Sequence, residues 1–457
     1  MANYTCMLRP NLILLTVECW RGDHLGTMTP NLLRLGEEGA IFSSAYASGG
    51  WTLPSMTALM SSTYASMFSG PGLMMPERQV LAECLLHSGY WTAGYSANPV
   101  CGTGEGFHRG FGQFRFEDRE PPQKRLLLPG GGRDWLRMGE LGIHPRNTDR
   151  YCDAAFMTDR ALGWIDRRGD KPFFLWLHYM DPHWPCIPSQ IPNDGDQIRE
   201  ACYDRMVFDH EVIPRKGQYY PGDAARSRWI LSYRDALKGV DREIGRLLHA
   251  LRQKPEWDRT IVGVMGDHGE DFYEHGTWHH AWNKLYGEGL HVPLILRVPG
   301  AAPTVVTQLV SGLDIAPTLL DYAGADQRPG ARPMMGISLR PAVEGKALPN
   351  RAVCSEMVGY PTAMTSYLLA IFDGEWKYIY DVENPHSSKL FHTVTDPAER
   401  QDLSQSRPDV LRRFEGMRLE HVSLGLARIL RRRDAGETTM DPLVKDQMIA
   451  LGYLSAI

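Results

Sequence analysis

The stretch NLILLTVE at residues 11–18 decides the fold, because an apolar run of strand length ends at a carboxylate. Similar apolar runs occur at residues 91–96, 173–178, 260–265 and 291–298, and segments of helical period separate them. Buried strands that alternate with helices are typical of a mainly parallel sheet covered by helices on both faces. The sequence therefore predicts an α/β fold with a large, mainly parallel sheet.

Helices are predicted at residues 30–38, 54–62, 79–88, 149–168, 224–252 and 314–322. Pro30 and Pro54 suit the first turn of a helix, and Thr29 is a candidate N-cap. Beyond about residue 350 the pattern changes to short strands at 352–356, 367–372 and 376–380, followed by charged helical sequence. We therefore predict a catalytic α/β domain at 1–350 and a smaller α+β domain with a helical tail at 351–457.

The composition is that of an ordinary globular enzyme. Of the 457 residues 43% are hydrophobic, and the formal net charge of −5 excludes a general basic field for nucleic acid. No stretch approaches the ~20 apolar residues of a membrane helix, and the first ten residues are too short and polar for a signal peptide.

The eight cysteines form no CxxC pair, which favours free thiols and a cytoplasmic location. Residues 443–454 suit either a homo-oligomer contact or closure of their own domain.

Polar side chains follow the predicted strands closely. Glu18 follows the first, His183 comes shortly after the third, and Asp267 and His268 follow the fourth. Ligands bind outside the carboxyl ends of strands in open α/β sheets, so these side chains are expected to converge. Thr52 lies at the mouth of a helix, where an anion is favoured.

Two carboxylates, an imidazole and an alcohol suit a divalent cation that lowers the pKa of a hydroxyl group. We therefore predict that the metal ligands are Glu18, Thr52, Asp267 and His268. The alternatives are a salt bridge from Glu18 to Arg21, a helix cap by Asp267 and a helix cap by Thr52. The density of histidines in this part of the chain argues against these alternatives, because packing alone hardly explains it. Four histidines and a lysine fall within seventeen residues: His268, His275, His279, His280 and Lys284.

Motifs along nearly the whole chain resemble the sulfatase branch of the alkaline phosphatase superfamily. In order, they are residues 11–26, TPNL at 29–32, GDHG at 266–269, residues 285–300, DIAPT at 314–318, GISL at 336–339, WKY at 376–378 and DPAE at 396–399. Each motif alone is weak, but their shared order is specific. The resemblance implies the sulfatase-like fold and a hydrolase of small anionic esters.

The departures from that family concern the site. Sulfatases carry C/S-x-P-S-R, whose first residue becomes formylglycine, whereas residues 52–56 read TLPSM. Where the family has a pair of aspartates, this chain has Val17-Glu18, so one carboxylate of the pair is missing. Where the family has an arginine before Val-Pro-Leu, this chain has His291. The family's lysine segment is missing too, which leaves Asn98 as an uncharged contact for phosphate.

A Glu, Thr, Asp, His set resembles that of phosphoethanolamine and phosphoglycerol transferases, which use a threonine nucleophile with Zn or Mn. The overall layout is similar to soluble phosphonate monoester hydrolases and phosphodiesterases. These resemblances imply one divalent ion, Mn or Zn rather than Mg or Ca, with a second ion left open. A threonine also favours phosphoryl over sulfuryl chemistry, because it lacks the second hydroxyl through which a formylglycine hydrate expels sulfate.

We therefore predict a metal-dependent phosphoesterase that acts on small phosphodiesters or phosphonate monoesters, with Thr52 as the nucleophile. His183, His280 and Lys284 are predicted to stabilise the phosphoryl oxygens. One of His275, His279 and His280 is predicted to protonate the leaving group. Substrate binding is assigned to His183, Asn98, His279 and Lys284. The alternatives are a phosphotransferase, a sulfatase without formylglycine and a catalytically silent binding protein.

Overall fold

A computed structural model describes residues 9–68, 74–116, 153–183, 186, 222–277, 280, 284–358, 367–382 and 384–433. The strands in these parts are β1 Asn11–Val17, β2 Ala40–Phe42, β3 Ala45–Tyr46, β4 Trp91–Ser96, β5 Gln113–Phe116, β6 Phe173–Tyr179, β7 Thr260–Gly266, β8 Leu294–Arg297, β9 Thr304–Val306, β10 Val310–Ser311, β11 Val353–Met357, β12 Leu368–Asp373, β13 Trp376–Asp381 and β14 Lys389–His392. The α-helices are α1 Pro30–Glu37, α2 Thr52–Ser61, α3 Leu81–His87, α4 Ala154–Arg167, α5 Asp223–Arg252, α6 Gly287–Leu290, α7 Ile315–Ala323, α8 Arg340–Val343 and α9 Pro408–Arg433.

The large sheet has the strand order β5-β4-β6-β1-β7-β8-β2-β9. β1 lies in its interior and pairs in parallel with β6 on one side and with β7 on the other. β8 is antiparallel to β7 and to β2, so the sheet is mixed but mostly parallel. Every residue of β1, β6 and β7 is buried, as expected for strands covered on both faces. The predicted α/β fold is confirmed.

The second, smaller sheet is antiparallel, with the strand order β11-β12-β13-β14. Helix α9 packs on it through Val410 and Phe414, which share a hydrophobic cluster with Leu369 and Leu390. This is the α+β architecture predicted for the C-terminal region, whereas the domain boundary near residue 350 stays a prediction. Residues 443–454 lie outside the described residues, so the oligomer prediction also stays open.

Most predicted bounds differ from the structure by a residue or two, and two of the differences have clear physical reasons. Helix α2 begins at Thr52 rather than at Pro54, because a proline fits anywhere in a first turn whose N–H groups lack intrahelical acceptors. Strand β8 begins at Leu294 rather than at residue 291. His291 instead closes helix α6 by donating its backbone N–H to the Gly287 carbonyl at 2.8 Å.

Two sequence-based expectations concern the cell compartment. None of the helices in the described residues is long and apolar enough to cross a membrane. The five described cysteines carry thiols rather than disulfides; they are Cys19, Cys84, Cys101, Cys186 and Cys354. All but Cys354 are buried, which agrees with the predicted free thiols.

Helix α9 is joined to the small sheet by a buried ion pair. The Glu356 carboxylate accepts hydrogen bonds from Ser66 N at 3.0 Å and from Tyr367 Oη at 2.9 Å, and His421 Nε2 lies 2.7 Å from it. Burial opposes the charge on His421, but Cys354 and Glu356 outweigh it and raise its pKa from 6.5 to about 10. While Glu356 is ionised, the pair therefore stabilises the fold fully below pH 6.5 and loses its contribution as the pH rises through 10.

Replacement His421→Gln should lower the free energy of unfolding by about 3 kcal/mol at pH 7, because it leaves a buried carboxylate without its cationic partner. The difference between wild type and variant should shrink as the pH approaches 10, where the wild-type imidazole also becomes neutral. Urea unfolding of both proteins at several pH values measures this difference in the free energy of unfolding. The contributions of other titrating groups largely cancel, because they are the same in both proteins. A difference that does not change with pH would contradict the assignment.

Candidate active site

The candidate site forms at the carboxyl ends of three adjacent parallel strands. Glu18 follows β1, Asp267 follows β7, and His183 comes shortly after β6. Backbone pairing continues past the strands, with Glu18 N donating to Tyr179 O at 2.9 Å and Asp267 N donating to Val17 O at 3.2 Å. The apolar strands thus bring side chains together that lie far apart in the sequence, as predicted.

Glu18 is the centre of the site, and its side chain is fully buried. Its Oε1 accepts a hydrogen bond from Thr52 Oγ1, and its Oε2 accepts one from Asn98 Nδ2 at 2.8 Å. His178 Nε2 lies 2.6 Å from Oε2, and His268 Nε2 lies 3.3 Å from Oε1. Burial opposes ionisation, but the hydrogen bonds from both histidines hold the pKa of Glu18 well below its usual range. The residue is therefore an anion in the folded protein.

The alternative salt bridge from Glu18 to Arg21 is wrong. The Arg21 guanidinium instead donates to Asp23 at 2.9 and 2.7 Å and to Glu274 at 2.6 Å. Burial opposes the charge, but these partners raise the pKa of Arg21 above its usual value. Arg21 therefore braces the turn after β1 and leaves Glu18 to the site.

Thr52 occupies the first position of helix α2 and is fully buried. Besides its bond to Glu18, its Oγ1 lies 3.3 Å from His268 Nε2. Ser55, one turn further along, donates its hydroxyl to the backbone carbonyl of Asp267. The start of α2 is therefore attached to both of the strand ends that carry the carboxylates.

Asp267 and His268 leave β7 through a tight turn. Asp267 Oδ1 accepts the backbone N–H groups of Cys19 at 2.9 Å and of His268 at 2.7 Å. His268 Nδ1 lies 2.7 Å from the Gly269 carbonyl, which directs Nε2 to Glu18 and Thr52. Only glycine fits at position 269, because a Cβ atom would overlap with the Glu288 carbonyl oxygen. The Asp-His-Gly motif is thus explained by close backbone packing and by side-chain direction together.

The charges at the site are dominated by carboxylates. Burial raises the pKa of Asp267 to about 7, and the Glu18 charge adds to the effect. Burial also raises the pKa of the Cys19 thiol well above its usual value, to which Glu270 and Glu18 contribute. Burial opposes protonation of His268, but the Asp267 and Glu18 charges outweigh it and raise its pKa to about 9. A bound cation would neutralise this surplus of negative charge.

The donor set fits a divalent metal ion. Glu18, Asp267 and His268 each offer a ligand atom, and these atoms lie within 4.8 Å of one another. Asp267 Oδ2 is buried and has no hydrogen-bond partner, although it lies 3.4 Å from His268 Nε2. A buried carboxylate oxygen without a donor is costly unless a cation satisfies it. Glu18, Asp267 and His268 therefore fit a divalent cation, whereas Thr52 as a further ligand stays a prediction.

Two further predicted residues, His183 and His280, also lie at the site. The ring centroid of His280 is 4.7 Å from that of His268 and 5.2 Å from that of His183. Burial lowers the pKa of His280 to about 4, so its imidazole is neutral at physiological pH. A neutral imidazole can bind a metal or donate one hydrogen bond.

His275 and Lys284 belong to a separate network instead. The His275 ring stacks on Tyr286 with centroids 3.6 Å apart, and its Nδ1 lies 2.5 Å from Glu288 Oε1. Lys284 Nζ donates to the His275 carbonyl. Next to this network Glu399 forms a buried ion pair with Lys377, which lies on β13 of the small sheet. His275 Nε2 also lies 3.2 Å from the Glu399 carbonyl oxygen, so the described contacts of His275 tie the loop after β7 to the C-terminal region, and Lys284 is attached to His275. His279 lies outside the described residues.

Asn98 is buried with both ends of its amide engaged. Its Nδ2 donates to Glu18 at 2.8 Å, and its Oδ1 accepts from Val100 N at 2.9 Å. The described contacts of the side chain therefore orient Glu18, while the predicted contact with phosphate stays a prediction.

Two residues of the site were not identified from the sequence. His178 is buried and contacts Glu18; its place as the last residue of the predicted strand at 173–178 is a signal in the sequence that could have revealed it. Cys19 follows Glu18 with its side chain fully buried, and its Sγ lies 3.8 Å from His280 Nδ1. Apart from being adjacent to Glu18, it carries no signal in the sequence.

Comparisons with known proteins show which family the chain is similar to. The family profile described as "Sulfatase" matches residues 10–325, and that described as "N-sulphoglucosamine sulphohydrolase, C-terminal" matches residues 273–413. A choline-sulfatase of Rhizobium meliloti is 26% identical over 452 residues, which cover 87% of this chain and 83% of the relative. The multifunctional alkaline phosphatase superfamily protein PehA of Trinickia caryophylli is 26% identical over 415 residues, covering 74% and 78%.

A solved structure of similar fold is the phosphonate monoester hydrolase of Agrobacterium radiobacter. It superposes with a TM-score of 0.65 at 21% identity and covers 91% of this chain and 95% of its own. At that identity the likeness concerns the fold alone.

Proposed function

The chain belongs to the sulfatase family, and on that premise we propose that it is a metal-dependent phosphoesterase with Thr52 as its nucleophile. The proposed substrates are small phosphodiesters or phosphonate monoesters. The proposed ligands of the cation, for which we expect Mn or Zn, are Glu18, Thr52, Asp267 and His268. A cytoplasmic location, which the free thiols favour, is proposed with the function.

The observation that carries the proposal is the position of the Thr52 hydroxyl. It donates to the Glu18 carboxylate and lies 3.3 Å from His268 Nε2, at the N-terminal end of a helix. A single alcohol held between an anionic acceptor and metal-ligand side chains is suited to attack on phosphorus. A threonine has no second hydroxyl through which to expel sulfate, so the residue type favours phosphoryl transfer.

The chain's own residues provide a balanced two-step route. As Thr52 Oγ1 attacks phosphorus, its proton passes to Glu18 Oε1, the bond to the leaving alkoxide breaks, and a histidine protonates that oxygen. Water then attacks the threonyl phosphate and gives one proton back to that histidine, the Thr52 oxygen leaves and regains its proton from Glu18, and a phosphate monoester or a phosphonate is released as its monoanion. His183 and His280 are assigned to hydrogen bonds with the phosphoryl oxygens. The bound metal ion would lower the pKa of the hydroxyl and screen the negative charge.

A sulfatase that works without formylglycine is the second candidate. It is favoured by the choline-sulfatase, which is similar along most of its length. If the protein were such a sulfatase, a stable sulfate ester would form on Thr52 and would have to be hydrolysed. We assign no residue to that hydrolysis.

A substrate panel separates the two candidates. With Mn²⁺ or Zn²⁺ the protein is expected to cleave a bis-aryl phosphate or an aryl phosphonate with a kcat/KM at least about a hundredfold above that for the matching aryl sulfate, or about 2.7 kcal/mol of discrimination. Thr52→Ala supplies the background for each substrate. Preferential release of sulfate would reverse the assignment. Products that carry an added alcohol, such as glycerol, would identify a phosphotransferase.

A further inference from the structure

We propose that Cys19 is a further ligand of the cation, together with His268 and with Nδ1 of His280, and that its thiolate makes the centre selective for a thiophilic divalent ion such as Zn²⁺. The Nε2–H group of the neutral His280 imidazole can still donate to a phosphoryl oxygen, the role proposed for this residue above. The inference rests on the proposed function, because it concerns the same metal centre. It adds a sulfur ligand to a set of oxygen and nitrogen donors and thereby chooses among the metals.

The spacing of the donor atoms supports this set. The ligand atoms of Cys19, His268 and His280 all lie within 4.8 Å of one another, and Cys19 Sγ lies 3.8 Å from His280 Nδ1. In a tetrahedral zinc site with Zn–S of about 2.3 Å and Zn–N of about 2.05 Å, the sulfur and nitrogen ligands are about 3.6 Å apart. The pair thus already stands near the separation that two ligands of one zinc ion require.

The distances from His268 to the two carboxylates also agree with the ligand separations of a zinc site. Its Nε2 lies 3.3 Å from Glu18 Oε1 and 3.4 Å from Asp267 Oδ2. Ligands at about 2.05 Å from one ion are about 3.3 Å apart when tetrahedral. His268 therefore joins the carboxylates and the thiol into one continuous donor set.

The backbone of Cys19 is held in a rare conformation that places this thiol. Its φ angle is +55°, in the left-handed region that non-glycine residues seldom adopt. Its N–H donates to Asp267 Oδ1 at 2.9 Å, and its carbonyl accepts from Tyr233 Oη at 2.7 Å. Strained residues of this kind persist where their surroundings fix them, and they concentrate at functional sites.

An independent observation points to a cation at this position. Asp267 Oδ2 is fully buried and lacks a hydrogen-bond donor, while Oδ1 of the same carboxylate holds the backbone of Cys19. The oxygen without a donor and the thiol therefore both lie close to His268, and the same aspartate carries the oxygen and holds the backbone of Cys19. A single cation would satisfy both.

The chemistry of sulfur gives the selectivity. A thiolate is a soft ligand that favours Zn²⁺, Cd²⁺ and Co²⁺ over Mg²⁺, Ca²⁺ and Mn²⁺. When the metal binds, the S–H bond of Cys19 breaks, its proton passes to the buffer, and sulfur donates the freed electron pair to the ion.

Reconstitution of the full-length protein with Co²⁺ tests the assignment. Wild type is expected to develop an intense near-ultraviolet band from charge transfer between thiolate and cobalt, and Cys19→Ser is expected to lack it. Cys186→Ser is the matched control, because Cys186 is another buried thiol within electrostatic reach of Cys19; this variant should keep the band.

Cys19→Asp provides a second variant, since aspartate tolerates the left-handed conformation. Its ratio of Cd²⁺ to Mn²⁺ affinity should fall by about tenfold or more.

The proposal is overturned if wild type develops no band, if Cys19→Ser retains it, or if the affinity ratio of Cys19→Asp equals that of wild type. Loss of the band in Cys186→Ser alone would assign the sulfur ligand to the other thiol. None of these readouts requires substrate. A protein that shows the band but cleaves no phosphate ester would refute the proposed function and leave the ligand assignment intact.

Discussion

Thr52→Ala is expected to lower kcat on a phosphodiester by roughly 10³- to 10⁶-fold, the scale of loss when a catalytic nucleophile is removed. The variant loses the only atom assigned to attack phosphorus, the oxygen that donates to Glu18 and lies 3.3 Å from His268 Nε2. Initial rates with saturating metal measure the effect. Because the substitution removes few atoms from a buried position, the melting temperature should stay close to that of wild type.

Two variants control this experiment. Thr52→Ser keeps a hydroxyl in place and is expected to stay within about tenfold of wild type. Thr29→Ala removes another buried threonine, whose hydroxyl contacts only the backbone of His24 and Gly26 among its described contacts, and it should leave kcat unchanged. Rapid quenching followed by mass spectrometry should find the phosphoryl group on residue 52. Undiminished turnover by Thr52→Ala would remove the residue from the mechanism.

The architecture could be predicted because its signals are local. Strands β1 and β4 have the predicted bounds, since a buried parallel strand is a continuous apolar run that stops at polar residues. The convergence of Glu18 with Asp267 followed from one general rule about the carboxyl ends of parallel strands. Family resemblance supplied the roles but not the contacts.

The rest of the site depends on contacts between distant segments, which one sequence does not encode visibly. His275 and Lys284 lie in a histidine-rich stretch and looked catalytic, but their described contacts lead to Tyr286 and Glu288. Cys19 was passed over because the paired aspartates were matched to Val17-Glu18, whereas the two side chains that meet the site are those of Glu18 and Cys19. A left-handed residue after a strand leaves no pattern of its own, since its conformation is imposed by tertiary hydrogen bonds.

Glu18→Gln is expected to weaken metal binding by at least about a hundredfold and to lower kcat/KM on a phosphodiester by roughly 10³-fold. Mutation of residues that only orient metal ligands lowers metal affinity by up to about a hundredfold, so loss of a ligand itself should lower it at least as much. Glu18 also accepts hydrogen bonds from Thr52 and Asn98 and lies 2.6 Å from His178 Nε2. A glutamine offers one acceptor oxygen, and its amide N–H groups would point at one of these donors.

The matched control is Asp23→Asn, five positions further along the same turn. The Asp23 side chain is 56% exposed and pairs with Arg21 and His24, outside the set of ligand atoms. This variant should bind metal and turn over substrate within a few-fold of wild type, because it removes a carboxylate of the turn without touching the donor set. Metal content after gel filtration and steady-state rates compare the two variants directly. If Glu18→Gln retains one metal ion per chain and full activity, the cation lies elsewhere; if it retains the metal but loses turnover, Glu18 acts as the acceptor of the Thr52 proton rather than as a ligand.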